Sequence, residues 1–386
     1  MKGSQSAILR VAAVIPAKGG VTGASLALAH IMLGIVTRYP KKVKVTIITS
    51  REALEYPAIK RLKLKGAEVI YTGVTGCPSP LYWLALAIRL LSLLRHGRVD
   101  IIHFSTPKAL VYLYPAARIV ARKIVISLEG YPPHELEEAN TPARLIGILA
   151  WRLSQRIANK IAPCSEWLRR VCIKAGAPEK KLTTIHNPVD VERFTTLISR
   201  QHGSRDVTNL LFVGRLHPVK GIDVALKALS LLKNEYGGGL FLRIVGVGPQ
   251  KNYLERMVYE LGLEKQVAFM GYRHDVEELV KESDIVLAPS RYEPFGMVAA
   301  EGGAAGKPVI ASRVGGLIEI VEDGVTGLLF TMGDPRDLAQ KILQLATDKS
   351  LSEKLGENAK ERVSALFAPE VIAEKMVKIY REVLED

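Results

Sequence analysis

The sequence predicts an α/β protein built from two doubly wound domains, and three observations carry that expectation. At 386 residues the chain exceeds what one hydrophobic core of ordinary size organises. Twelve short, nearly continuous apolar runs alternate with helix-period segments, the pattern of parallel strands covered on both faces. Several runs end directly in glycine-containing turns that open helices, which is how such sheets present ligand sites at their strand carboxyl ends.

The first six strands are expected at 11–16, 44–50, 68–73, 101–105, 123–129 and 160–165. Between the first and the helix that follows lies a glycine-rich turn, Pro16 to Gly23, in which Gly19 and Gly20 allow backbone to approach a ligand closely. Its G-G-x-x-G spacing departs from the dinucleotide-binding fingerprint. The polar, pattern-poor stretch around 191–208 predicts a linker, placing a first domain at 1–190 and a second at 209–368. Strands of the second are expected at 209–216, 240–246, 267–272, 285–289, 308–312 and 327–330. The segment 369–386 has helical apolar spacing and is expected to cross back to the first domain. Two like sheets facing each other predict a site between them.

The stretch from Ser290 to Gly327 holds the most concentrated chemistry. An apolar run ends in Ser-Arg-Tyr-Glu-Pro-Phe-Gly and opens into a small-residue helix, whose free N–H groups attract an anion such as phosphate. Glu293 stands before that helix and Glu301 roughly two turns in. Carboxylates only accept, and they take vicinal hydroxyls well, so a sugar or ribose beside the phosphate is the expected ligand. The Gly315-Gly316 turn follows the next strand. Upstream, Gly214-Arg215 and Lys220-Gly221 leave one strand end. The two cations can reach a single doubly charged group and stabilise a diphosphate leaving group without a metal. Gly246 and Gly248 supply another close-approach turn beside them.

These features resemble the retaining nucleotide-sugar glycosyltransferases of the GT-B fold, in particular glycosyltransferase family 4. The matching segments are V-G-R-L-H-P-V-K-G-I-D at 213–223, V-G-V-G-P at 245–249, P-S-R-Y-E-P-F-G-M-V-A-A-E at 289–301 and G-K-P-V-I-A-S-R-V-G-G-L-I-E-I-V at 306–321. In the first half only the Gly19-Gly20 turn and I-I-H-F-S-T resemble the family, as expected of a half that binds a variable acceptor. The resemblance implies that Arg215 and Lys220 hold the donor diphosphate, Glu301 the ribose hydroxyls and Glu293 the hydroxyls of the transferred sugar. It further implies that backbone N–H groups of Phe295, Gly296 and Met297 meet donor sugar and phosphate, that Tyr272-Arg273 borders the base, and that Gly19 and Gly20 close over the diphosphate. No metal and no cofactor beyond the donor are implied, and the anomeric configuration is retained. Many family members carry a histidine after the strand equivalent to 123–128. Here Glu129 occupies that position, with His103 and His134 as alternatives.

Charge adds a second theme. The formal net charge is +14, and residues 1–193 hold 29 Lys and Arg against 12 Asp and Glu. A basic half implies an anionic partner. Few aromatics, 6%, and no zinc, homeodomain or RNP pattern argue against nucleic acid. The helix expected over 141–162 sets Leu145, Leu149, Leu153, Ile157 and Ile161 at intervals of four beside Arg144, Arg152, Arg156 and Lys160. That pattern is expected to pack on its own domain, with peripheral attachment to an anionic membrane as the alternative. Cys77, Cys164 and Cys172 lack metal-ligand or redox spacing, and no signal peptide or membrane span is expected, so a cytoplasmic setting follows. The rival functional class is a sugar-nucleotide-binding regulator that has lost transfer, with a GT-B-fold epimerase or phosphorylase as further enzymatic alternatives.

Overall fold

A computed structural model describes residues 8–16, 23–73, 80–130, 141–195, 207–233 and 239–386. The Gly19-Gly20 turn, Cys77 and His134 lie outside the described residues. Two compact units are present, Met1–Pro188 with Pro369–Asp386, and Val189–Ala368. The division falls earlier than the 191–208 stretch. Val191–Thr195 forms a helix that buries Phe194 within the second unit, so an anchored apolar residue claims a segment whose polarity reads as linker.

The first unit contains β1 Leu9–Ile15, β2 Val43–Ser50, β3 Glu68–Thr72, β4 Val99–Phe104, β5 Ala121–Leu128 and β6 Lys160–Pro163, in the order β3-β2-β1-β4-β5-β6. The second contains β7 Thr208–Val213, β8 Leu240–Val245, β9 Val267–Gly271, β10 Ile285–Ala288, β11 Val309–Ser312 and β12 Gly327–Phe330, in the order β12-β11-β10-β7-β8-β9. All pairings are parallel. Counted within each unit, both sheets have the doubly wound order 3-2-1-4-5-6. The winding reverses between the unit's first and fourth strands, so the crevice of the second unit opens beyond β7 and β10.

Burial explains the runs: β10, β11 and β12 are buried at every position, as strands covered on both faces must be. Helix Pro369–Glu385 belongs to the first unit, where Ile372, Ala373, Met376, Val377 and Tyr380 pack into the core around helix Gly23–Arg38. Gly34 makes the approach possible, because a Cβ there would sit 2.2 Å from the Pro369 carbonyl oxygen. No helix among the described residues is long and apolar enough to cross a membrane.

His103 on β4 is a core residue rather than a sugar ligand. It is fully buried, its Nδ1 lies 2.6 Å from the Tyr380 hydroxyl and its Nε2 2.9 Å from the Ser127 hydroxyl. Desolvation lowers its pKa to about 3, so the ring is neutral and both nitrogens are used. Tyr380→Phe is expected to leave one ring nitrogen unsatisfied at a cost of about 1–3 kcal/mol, read as a lower midpoint in denaturant unfolding.

Candidate functional site

The loops beyond β7 and β10 are locked together by backbone. The Arg291 N–H donates to the Val219 carbonyl at 2.7 Å, and a Cβ on Gly221, whose φ is +65°, would lie 2.0 Å from the Pro289 oxygen. The Arg291 guanidinium then grips both Asp223 carboxylate oxygens, at 2.8 and 2.7 Å, and donates to the Pro218 carbonyl. Desolvation pushes the Asp223 carboxyl up, but the hydrogen bonds and charge of Arg291 outweigh it and hold its pKa below the usual range. Neither Arg291 nor Asp223 figures among the residues predicted to bind donor. Their role is to fix the loop that carries Lys220.

Lys220 and Glu293 thereby meet. The ammonium donates to Glu293 Oε2 at 2.6 Å and Ser290 Oγ donates to the same oxygen at 3.1 Å, with the two charged side chains only 27% and 16% exposed. Ser290 stands three residues before Glu293, and that spacing within the loop is the signal by which it could have been found. Arg215 leaves the same strand end and is exposed.

The Gly315-Gly316 turn holds the other side of this loop. Cβ atoms at these positions would come within 2.0 Å of the Glu293 carbonyl oxygen and 2.4 Å of that of Pro294, and the Gly316 N–H donates to the Glu293 carbonyl at 2.9 Å. Phe295 is buried edge-on against Phe367, ring centroids 5.6 Å apart, so its side chain anchors the turn to the interior of the second unit. Gly296, with φ of +112°, precedes helix Met297–Ala304. Because the helix starts at Met297, Glu301 lies one turn in, not two, and closer to the helix N-terminus than its separation from Glu293 suggests.

Glu301 is half-buried, and no hydrogen bond from a described residue reaches its carboxylate. Desolvation raises its pKa to about 7, against the opposing charge of Arg193 and with a small addition from Glu277. Arg193 comes from helix Val191–Thr195 and pairs with Glu277 at 2.7 Å. A carboxyl held this way has acceptor capacity to give a ligand.

The β8 and β9 loops complete the crevice. Cβ atoms on Gly246 and Gly248 would lie 1.9 Å from the Gly214 oxygen and 2.3 Å from that of Leu216, so both glycines are required by backbone packing between neighbouring loops. The Gly246 N–H donates to the Gly271 carbonyl, which draws in Tyr272 and Arg273. Tyr272 is exposed and meets His274 edge-on, while Arg273 is paired with Asp275. Among the described residues no cluster of His, Cys, Asp and Glu could hold a metal. Glu129 lies in the first unit after β5, where it accepts a hydrogen bond from Asn187.

Family comparison gives this geometry its context. Residues 195–362 match the model for glycosyl transferases group 1, and residues 32–193 match that for glycosyltransferase family 4. The chain belongs to the group 1 glycosyltransferases. It is 29% identical over 80% of its length to N-acetyl-alpha-D-glucosaminyl L-malate synthase of Bacillus anthracis, covering 81% of that protein. It is 34% identical to an uncharacterized glycosyltransferase of Methanocaldococcus jannaschii, over 56% of this chain and 57% of that one. Among solved structures, Anabaena HepE in complex with UDP and glucose matches with a TM-score of 0.78 at 26% identity, over 97% of this chain and 100% of that one. The sucrose-phosphate synthase of Thermosynechococcus elongatus shares the fold, with a TM-score of 0.76, 20% identity and coverage of 98% and 99%. This glycosyltransferase has the GT-B fold.

Proposed function

We propose that this glycosyltransferase moves a sugar from a UDP-sugar to an acceptor with retention of anomeric configuration. The observation that carries the reading is the convergence of Lys220, Glu293 and Ser290 where the winding of the second sheet reverses. Arg215 and Lys220 bind the diphosphate, Glu293 and the backbone of Phe295, Gly296 and Met297 take the sugar, Glu301 takes the ribose, and Tyr272-Arg273 borders the base, beside the turns at Gly214, Gly246 and Gly248. Uridine is favoured because Anabaena HepE is complexed with UDP in one structure and with UDP-glucose in another.

In the reaction, the bond from the anomeric carbon to the diphosphate oxygen breaks and the acceptor oxygen bonds to that carbon on the same face. The acceptor proton passes to the departing phosphate oxygen, whose charge the two cations hold. The positive charge is supplied by side chains, so chelation is expected to leave turnover unchanged.

A thermal-shift panel of uridine, guanosine and adenosine diphosphate sugars tests the donor. Uridine donors are expected to raise the melting temperature most, and stabilisation by guanosine or adenosine donors alone would reject the assignment. Proton NMR of the first-formed product, before mutarotation, reads the anomeric outcome.

A further inference from the structure

Three neighbouring helices of the first unit share a property no part of the donor site explains. Helix Pro107–Val120 lies between helices Pro80–Leu91 and Thr141–Ile157. Each buries one side and leaves large apolar residues on the other. The long helix buries Ala150, Trp151 and Ser154, while Leu145 and Leu149 are 61% and 66% exposed and Leu153 is exposed beside them. The leucine row expected to pack on its own domain therefore faces outward, and Trp151 fills the interior instead. Ile161, the expected end of that row, sits in β6.

The same division holds next door. Helix Pro80–Leu91 buries Tyr82, Leu86 and Leu90 and leaves Leu84 and Ile88 each 57% exposed. The middle helix exposes Tyr112 and Ile119, and Trp83 stacks on Tyr112 with ring centroids 4.8 Å apart, joining two of the helices into one surface. Single exposed leucines are ordinary, but rows of them on adjoining helices mark a surface meant to be covered.

Charge identifies the cover. The three helices contain no aspartate or glutamate, and Arg89, Lys108, Arg118, Arg144, Arg152 and Arg156 are all exposed. Apolar side chains with stacked interfacial aromatics, flanked by cations alone, suit an anionic bilayer, where the apolar groups enter the acyl boundary and the guanidinium groups remain among headgroup phosphates. A second copy of the same surface would bring six cations against six.

We infer that this face docks the enzyme on an anionic lipid bilayer. In its purpose, bringing the active site to an acceptor carried in the membrane, the inference rests on the transferase reading, whereas the docking itself does not. The test is co-sedimentation of the full chain, without donor, with vesicles of phosphatidylcholine alone or mixed with phosphatidylglycerol. Binding is expected only to the mixed vesicles. Arg152→Ala and Arg156→Ala are each expected to weaken it about fivefold, and Leu145→Glu with Leu149→Glu to abolish it.

UDP-sugar binding by the same variants, measured without vesicles, is expected to be unchanged. A failure there touches the donor site, and a failure in sedimentation touches only the docking face. Absence of binding to either vesicle, or equal binding by the leucine variants, would overturn the inference. So would a parent chain that is dimeric in light scattering and becomes monomeric on Leu149→Glu, which would identify the face as a contact between copies.

Discussion

Glu293→Gln is expected to lower sugar transfer by about two to three orders of magnitude while leaving the affinity for UDP unchanged or raised. The asymmetry follows from the ion pair. In the free enzyme Lys220 is engaged by Glu293 at 2.6 Å, so a diphosphate arriving at Lys220 competes with that carboxylate and is repelled by it. Glutamine removes the competitor and the repulsion, and the product nucleotide gains. The transferred sugar, in contrast, loses an ionised acceptor for its hydroxyls, and turnover falls.

Lys220→Ala should behave oppositely. UDP and UDP-sugar affinity are expected to fall together, because the proposed contact of this cation is with the diphosphate they share, and the variant leaves the Glu293 charge partly buried without its ammonium. Isothermal titration with UDP, alongside initial-rate kinetics, separates the two. Equal loss of UDP affinity in both variants, with unchanged melting temperature, would mean that the pair acts as one structural unit and that Glu293 has no separate claim on the sugar.

The division between what was legible in the sequence and what was not follows the range of the forces involved. Strands such as 285–289 and 327–330 were readable because a strand covered on both faces must be apolar throughout, a constraint written residue by residue. The glycines were readable as close approaches, but not what they approach: that Gly221 meets Pro289 and Gly315 meets Glu293 depends on strand order. The Arg291–Asp223 clamp escaped for the same reason, since its partners are 68 residues apart and nothing local distinguishes them from surface charges. Helical spacing defines the leucine face of the 141–157 helix without saying which way it turns, and in the structure it turns outward. Trp151, bulkier and two positions off the row, lies on the opposite side of the helix and takes the interior.

Glu301 should give the donor affinity a pH dependence of defined sign. Its carboxyl is raised from 4.5 to about 7, chiefly by desolvation, and in its proposed role as acceptor for the ribose hydroxyls it binds best ionised. Affinity for the proposed UDP-sugar donor is therefore expected to rise with pH and level off above about 7, falling by up to about tenfold per unit on the acid side. The intact sugar nucleotide is the ligand to use, because its diphosphate diester does not titrate in this range, whereas the terminal phosphate of UDP does. In Glu301→Gln this dependence should flatten, with affinity about 10–100-fold lower at the plateau.

Stability should move the other way. A carboxyl that holds its proton more tightly folded than unfolded favours the native state fully below 4.5, and that contribution is lost as pH rises through about 7. The neutral glutamine escapes the loss, so Glu301→Gln is expected to melt higher than the parent at about pH 8 and no higher near pH 4. A glutamate that merely decorated the helix would show neither trend. One that weakens the empty protein while strengthening its hold on ribose shows both, and the two measured together tie the desolvation of this side chain to its ligand.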